Sequence, residues 1–266
     1  MTRDTIPDLG IGTAGLEPGT CEESVRHALD VGYRHVDTAQ MYENQGAVGD
    51  GIQASTVDRD DVFLATKILP RNLAYDDVLD QFDRCRERLG VDVVDLLYVH
   101  WPIEAYDPEE TLRAFDELHD DGVVRHVGLS NFTPSMLDEA RDHLDASIFA
   151  HQVECHPLLQ QDELRAYADE HDHELVAYSP LAKGAVFDVP ELVDIAAKHD
   201  ATPAQVSLAW LRAKAVTAIP RSSSAAHIEE NYAARELELD DEDVARIDAI
   251  ERTERQIDPD DAPWTR

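Results

Sequence analysis

Short apolar runs recur along the chain: LGIGTA (9–14), RHVD (34–37), VFLATK (62–67), VDLLYVH (94–100), VRHVGLSN (124–131), SIFAHQ (147–152), ELVAYS (174–179) and VTAIP (216–220). Each is short, β-branched or alternating, and bounded by polar or turn residues, so each reads as a strand. Between them apolar residues recur three and four positions apart, which predicts helices over 21–31, 43–54, 75–89, 108–121, 134–144, 160–171 and 224–234. The first is expected to open at Thr20 as N-cap, with Glu23 three residues on completing a capping box. Strands alternating with helices in repeats of about 30 residues imply a parallel sheet of βαβ units. Eight such units close into a (β/α)8 TIM barrel, the α/β class expected here. The seventh crossover carries two helical patterns, 190–199 and 203–213, with Pro203 at the first turn of the second. A last helix over 240–252 would pack outside the barrel or across one end. An open doubly wound sheet is disfavoured, because no GxGxxG turn follows the first strand. No low-complexity linker interrupts 1–266, so one barrel domain is expected over that span.

Composition narrows the class. A chain of 266 residues can bury a core without disulfides. Its three cysteines, Cys21, Cys85 and Cys155, are odd in number and far apart, which suits reduced thiols in a cytoplasm. There is no 18-residue apolar run for a membrane span, and MTRDTIPDLG lacks the apolar centre of a signal peptide. Charge changes the picture more: 56 acidic against 23 basic residues leave a net charge of −33. No nucleic-acid partner is expected on that ground. The acids are spread over the outer faces of nearly every helix, as in DDVLDQFDRCRERL and DDEDVARIDAIERT, rather than gathered in a tail. Such a coat resembles that of salt-adapted cytoplasmic proteins, since at molar salt the Debye length falls to about 3 Å and self-repulsion is screened. Low activity or unfolding is the expected result in dilute buffer; an unchanged circular-dichroism spectrum after desalting overturns the salt adaptation.

The candidate chemistry lies at the strand ends. Reading only the last residues of each run gives Asp37, Lys67, His100, Ser130 and Asn131, Gln152, Tyr178 and Ser179, and, just beyond the eighth, Arg221. In a parallel barrel these ends converge on the face that carries the site. Lys67 follows the apolar VFLAT, so its charge needs a partner, and Asp37 is the obvious one. Tyr42 follows Asp37 closely. A phenol ordinarily titrates near 10, and a neighbouring ammonium is expected to lower that value and make it a proton donor to a carbonyl oxygen. His100 could hydrogen-bond and orient the same oxygen. Each residue also has a plainer role open to it: a structural ion pair for Asp37 and Lys67, a core histidine for His100, a loop aromatic for Tyr42, core packing for Tyr178.

At these residues the chain resembles the aldo-keto reductase family. GYRHVDTAQMYENQGAVG, FLATK, DLLYVHWP, VGLSNF, QVECHP, AYSPL and IPRSSSAAHIEEN occur in the family's order from about residue 8 to 232. The resemblance implies a barrel that binds NADP(H) or NAD(H) without a Rossmann domain and moves hydride to an aldehyde or ketone. It implies the tetrad Asp37, Tyr42, Lys67 and His100. It puts Ser130, Asn131 and Gln152 on the nicotinamide carboxamide, Tyr178 on the nicotinamide ring, and Ser179 and Leu181 on the pyrophosphate side. Arg221, Ser222, Ser224, His227 and Asn231 match the cradle for the adenosine 2′-phosphate and adenine, where Ser222–Ser224 open a helix and a helix N-terminus favours phosphate. Two departures fall in that cradle. Arg221 stands where many members have Lys, keeping the charge and adding a bidentate grip. His227 stands where members usually have Arg, which weakens the hold. NADP(H) is favoured, with NAD(H) the alternative.

Trp101, Ile103 and Tyr106, after the fourth strand, are expected to wall an apolar substrate pocket, joined by the loop 183–189 and the tail near Trp264. Short loops imply an open pocket for small aldehydes, sugar aldehydes, α-dicarbonyls or keto-acids. The ECHP motif invites a Cys155–His156 nucleophile, but neighbouring strand residues point to opposite faces. His171 and His173 read as a helix end, and with no HExxH and no CxxC no metal is expected. The competing function is a nucleotide-sensing regulatory subunit on the same barrel, binding cofactor with little turnover; a metal-dependent hydrolase lacks a ligand cluster. Family resemblance also implies a monomer acting on a small carbonyl substrate; without a long apolar run, no membrane partner is expected.

Overall fold

The computed structural model describes residues 5–265. Its eight strands are β1 (Ile11–Gly12), β2 (His35–Asp37), β3 (Phe63–Ile68), β4 (Val94–Val99), β5 (Val124–Ser130), β6 (Ile148–Glu154), β7 (Glu174–Tyr178) and β8 (Val216–Ala218). They pair in parallel, each with the next in sequence. Parallel bridges Leu9–Ala218 and Gly12–Arg221 join the last strand to the first and close the sheet. A Cβ at Gly12 would meet the Ile219 carbonyl oxygen at 2.8 Å, so closure at this seam uses the missing side chain. The (β/α)8 barrel expected from the strand–helix alternation is the fold observed.

The helices are α1 (Pro18–Val31), α2 (Gln45–Ala54), α3 (Tyr75–Leu89), α4 (Pro108–Asp120), α5 (Pro134–His143), α6 (Asp162–His171), α7 (Pro190–Lys198), α8 (Pro203–Ala213), α9 (Ala225–Ala233) and α10 (Asp241–Asp248). Both helices expected in the seventh crossover, α7 and α8, are present. Five of the ten begin on proline, whose fixed φ suits the first turn and whose missing N–H would have had no partner there. Asp107, Thr202, Ser224 and Asp240 cap α4, α8, α9 and α10 with side-chain oxygens. The expected cap at Thr20 is corrected: α1 starts earlier, at Pro18, and Thr20 lies inside its first turn with no capping bond. The proline fixes the start before the capping box can. The last helix also ends sooner than expected, at Asp248, because the chain beyond it runs to the barrel mouth.

Two apolar compartments follow from the period-2 alternation of the strands. Outward residues such as Val36, Leu64, Leu97 and Val99 pack under the helices. Inward residues Phe63, Ala65, Leu96, Tyr98, Ala150 and Val176, with Ile6 and Ile219, fill the barrel itself. Tyr98 occupies space left by Gly128 on the neighbouring strand, where a Cβ would come within 2.5 Å of its ring. This plug closes the barrel below the strand ends, so polar groups there face one mouth. Surface cations are largely taken up by neighbouring acids, as in Arg26–Asp30, Arg84–Asp80 and Arg235–Asp8. Even full pairing leaves the 33-charge excess of carboxylates on the surface. Among the described residues no helix is long and apolar enough to cross a membrane.

Candidate active site

β2 and β3 deliver Asp37 and Lys67 into the mouth, 1% and 0% exposed. The Lys67 ammonium lies 2.5 Å from Asp37 Oδ1 and donates to the Thr38 carbonyl at 3.0 Å. Gln152 Nε2, from β6, donates to the second carboxylate oxygen at 2.8 Å. Both oxygens of the buried carboxylate are therefore satisfied, as a charge at this depth requires. Burial alone would pull the Lys67 pKa down, but Asp37 and Tyr42 overcome it and the net shift is upward. Lys67 is thus held as the cation at neutral pH.

Tyr42 closes a 3₁₀ turn, Gln40–Tyr42, and Glu43 then turns the chain with φ 56°. Its ring centroid is 5.3 Å from the Lys67 nitrogen and 5.8 Å from the His100 ring, nearly edge-on. The expectation that Lys67 lowers the phenol pKa captures one side of the balance. Burial raises it, Lys67 lowers it, Asp37 raises it, and the net direction is above the ordinary value. Without charge on a ligand the phenol is therefore firmly protonated, which is the form an acid needs. His100, one residue past β4, is pushed well below the usual histidine range by burial and by Lys67, so its imidazole is neutral.

Two residues that the strand-end reading passed over hold this turn. Gln40 Oε1 accepts from the Leu69 N–H at 3.0 Å and from Asn72 Nδ2 at 3.1 Å, while its Nε2 donates to Gln81 at 2.7 Å. Asn44 Nδ2 donates to the carbonyls of Thr13 and Leu16 at 2.8 and 3.0 Å. They flank Tyr42 by two residues on either side and are both buried. A signal existed: polar amides inside a motif already singled out, at equal spacing around the key phenol.

A second polar chain runs across β5–β7. Ser130 Oγ donates to the Gln152 carbonyl at 2.9 Å. Asn131, with φ 66°, donates from Nδ2 to the His100 carbonyl at 3.0 Å and to Ser130 Oγ at 3.1 Å. Tyr178 donates its hydroxyl to Asn131 Oδ1 at 2.9 Å. Ser179 and Leu181 follow in a turn whose left-handed residues include Ser179, φ 49°, and whose Pro180 carbonyl accepts from Ser207 on α8 at 2.7 Å. The structure therefore gathers Ser130, Asn131, Gln152 and Tyr178 with the tetrad. In the segment after β8, Ser222 Oγ accepts from the Ser224 N–H at 3.1 Å and Ser224 caps α9. Asn231 is buried on α9, whereas Arg221 and His227 are exposed. Arg221 Nη1 makes one 3.4 Å contact, to the Ala14 carbonyl.

The expected pocket residues separate. Trp101 and Ile103 cluster with Ile257, Ala262 and Trp264 of the tail, with the two indoles 5.5 Å apart. Tyr106 instead packs edge-on to Phe132 at 5.4 Å, against the outer core. Cys155 is buried and its thiol pushed up to about 12 by burial, while His156 Nε2 turns to Glu154 at 2.9 Å, so the two form no nucleophilic pair. His173 Nδ1 accepts from Arg141 at 3.0 Å.

A barrel mouth that holds a buried Asp–Lys pair, a protonated phenol and a neutral imidazole has the groups to donate a proton to a carbonyl oxygen. The chain belongs to the aldo/keto reductase family, whose sequence profile matches residues 8–252. It is 37% identical over 257 residues to methylglyoxal reductase DkgB of Escherichia coli O157:H7, covering 96% of each chain. It is 38% identical over 252 residues to glyoxal reductase of Bacillus subtilis (strain 168), covering 94% of this chain and 91% of that one. Among solved structures it matches MGS-M4, an aldo-keto reductase enzyme from a Medee basin deep-sea metagenome library, with a TM-score of 0.93 at 31% identity, covering 97% and 96%. The chain is an oxidoreductase of carbonyl compounds, in a family that uses nicotinamide cofactors.

Proposed function

We propose that this protein reduces small aldehydes and ketones to alcohols, with α-dicarbonyls such as methylglyoxal and glyoxal as the favoured class, using NADPH and Tyr42 as the proton donor. The observation that carries it is the buried Asp37–Lys67 pair set against the Tyr42 phenol. Relatives named for methylglyoxal and glyoxal reduction support the substrate class. When bound, the nicotinamide supplies the hydride to the carbonyl carbon. This chain's residues do the rest. The neutral His100 orients the carbonyl oxygen, and Tyr42 gives its proton to that oxygen as charge builds there. Lys67, fixed by Asp37, stabilises the phenolate that remains. Ser130, Asn131 and Gln152 offer amide and hydroxyl groups for the carboxamide, and Tyr178 an aromatic face held by its bond to Asn131.

The residues after β8 fit a 2′-phosphorylated dinucleotide. The exposed Arg221 guanidinium makes one long contact among the described residues, and the capped N-terminus of α9 begins three residues on. The test is a panel of aldehydes and ketones at high salt with each cofactor, following loss of reduced-nicotinamide absorbance. Turnover of dicarbonyls is expected, with kcat/KM about tenfold or more higher for NADPH, the worth of one charge-assisted hydrogen bond. A preference for NADH overturns the cofactor assignment. Tight cofactor binding with no turnover on any carbonyl overturns the enzyme and favours the sensing subunit.

A further inference from the structure

We infer that Glu154 is a positioning residue whose buried carboxylate clamps the backbone of the C-terminal tail and so sets one wall of the substrate pocket. β6 runs two residues past Gln152, and the period-2 alternation turns Glu154 to the same inward face. Glu154 is 1% exposed, and a carboxylate there must be hydrogen-bonded. Its partners come mainly from the tail. Oε1 accepts from the Gln256 N–H at 2.6 Å and Oε2 from the Ile257 N–H at 2.8 Å. The third donor is His156. Its Nδ1 accepts from the Leu158 N–H at 3.2 Å, so the proton resides on Nε2, which donates to Glu154 Oε1 at 2.9 Å. A second tie binds the tail to the same turn, the Glu254 N–H donating to the Leu158 carbonyl at 2.8 Å.

The tail needs such ties. Residues 251–262 form neither helix nor strand, so their backbone groups have no ladder to satisfy them. The clamped Ile257 belongs to the cluster with Trp101 and Ile103, and Trp264 completes it. Arg255 lies 4.1 Å over the Trp264 ring, and the indole N–H donates to Asp258 at 2.8 Å, so the indole is held by the same short segment. Glu154 thus fixes where the tail's apolar groups meet those of the β4 loop, without itself reaching the reacting atoms. The substrate effect rests on the reductase reading above.

Glu154→Gln removes the charge and turns an N–H donor toward groups that are themselves donors. In this variant the Gln256 and Ile257 amides are expected to exchange with deuterium at least about tenfold faster. KM for methylglyoxal should rise about tenfold, with kcat and the affinity for NADPH within about twofold of the parent, because the chemistry is untouched. A chain ending at Thr253 should show the same rise, and adding Glu154→Gln to it should produce no more, since both remove one wall. Unchanged exchange at 256 and 257, or a KM effect of Glu154→Gln that persists in the shortened chain, overturns the clamp. If the parent protein reduces no carbonyl, the functional reading falls and the exchange experiment still decides the clamp. Should Glu154→Gln fail to fold, His156→Gln, which leaves the carboxylate in place, is expected to speed the same two amides; no change there counts against the clamp.

Discussion

Tyr42→Phe is expected to lower kcat for carbonyl reduction by about 10²–10⁴-fold while leaving the fold and cofactor binding intact. The ring keeps its position edge-on to His100, and only the donor hydroxyl is lost. Steady-state reduction of methylglyoxal, with circular dichroism as the control, measures the effect. Retention of more than about a tenth of parental kcat sinks Tyr42 as the acid. The pH profile carries a second signature. The active form is the protonated phenol, and burial moves its pKa above the ordinary value despite Lys67. The alkaline fall in kcat/KM for reduction, which reports the free enzyme, should therefore lie above pH 10 rather than near neutrality. His100 is already neutral across that range, so no loss from its titration is expected on the way. A limb centred near pH 7 would point to a different acid.

Lys67→Met has the second large effect, because it acts on stability as well as on rate. Removing the ammonium leaves the Asp37 carboxylate buried with the Gln152 amide as its remaining side-chain donor. Breaking a buried pair in this way costs about 3–5 kcal/mol, to be read from the urea midpoint at high salt. Reduction should fall by a factor comparable to Tyr42→Phe, since the phenolate left after proton transfer would lose its cation. Adding Asp37→Asn separates the two losses. The double variant should regain part of the stability, since no uncompensated charge remains, and none of the activity. If Lys67→Met is as stable as the parent, the pair is not the buried ion pair described here. If it is unstable but fully active, Lys67 has only a structural role.

Much of this architecture was open to inspection in the one-dimensional pattern. The strands at 94–99 and 174–178 and the helices at 75–89 and 203–213 lie within a residue of their expected bounds, because apolar spacing of two or of three to four leaves little choice. Where local signals competed, they misled: Pro18 set the start of α1, and the capping residues at Thr20 and Glu23 did not. Strand-end reading also found Asp37, Lys67 and His100, since a charged or imidazole residue after an apolar run is conspicuous. It passed over Gln40, Asn44 and Glu154. Their roles depend on partners 29, 31 and 102 residues distant, at Leu69, Thr13 and Gln256. No local period encodes such separations.

By itself the sequence determined the alternation of strands and helices, the closure of eight units into one barrel, and the placing of Asp37, Lys67 and His100 at its mouth. These follow from side-chain periodicity and from residue types that cannot be buried without partners. Tertiary structure alone decided the balance of energies at those residues and what surrounds them. It put Tyr42 deep enough that burial outweighs the nearby ammonium. It parted Tyr106 from Trp101 and Ile103, which keep the expected company of the tail near Trp264. The physical reason is that solvation and contact depend on distances between segments remote in the chain, and only packing fixes those.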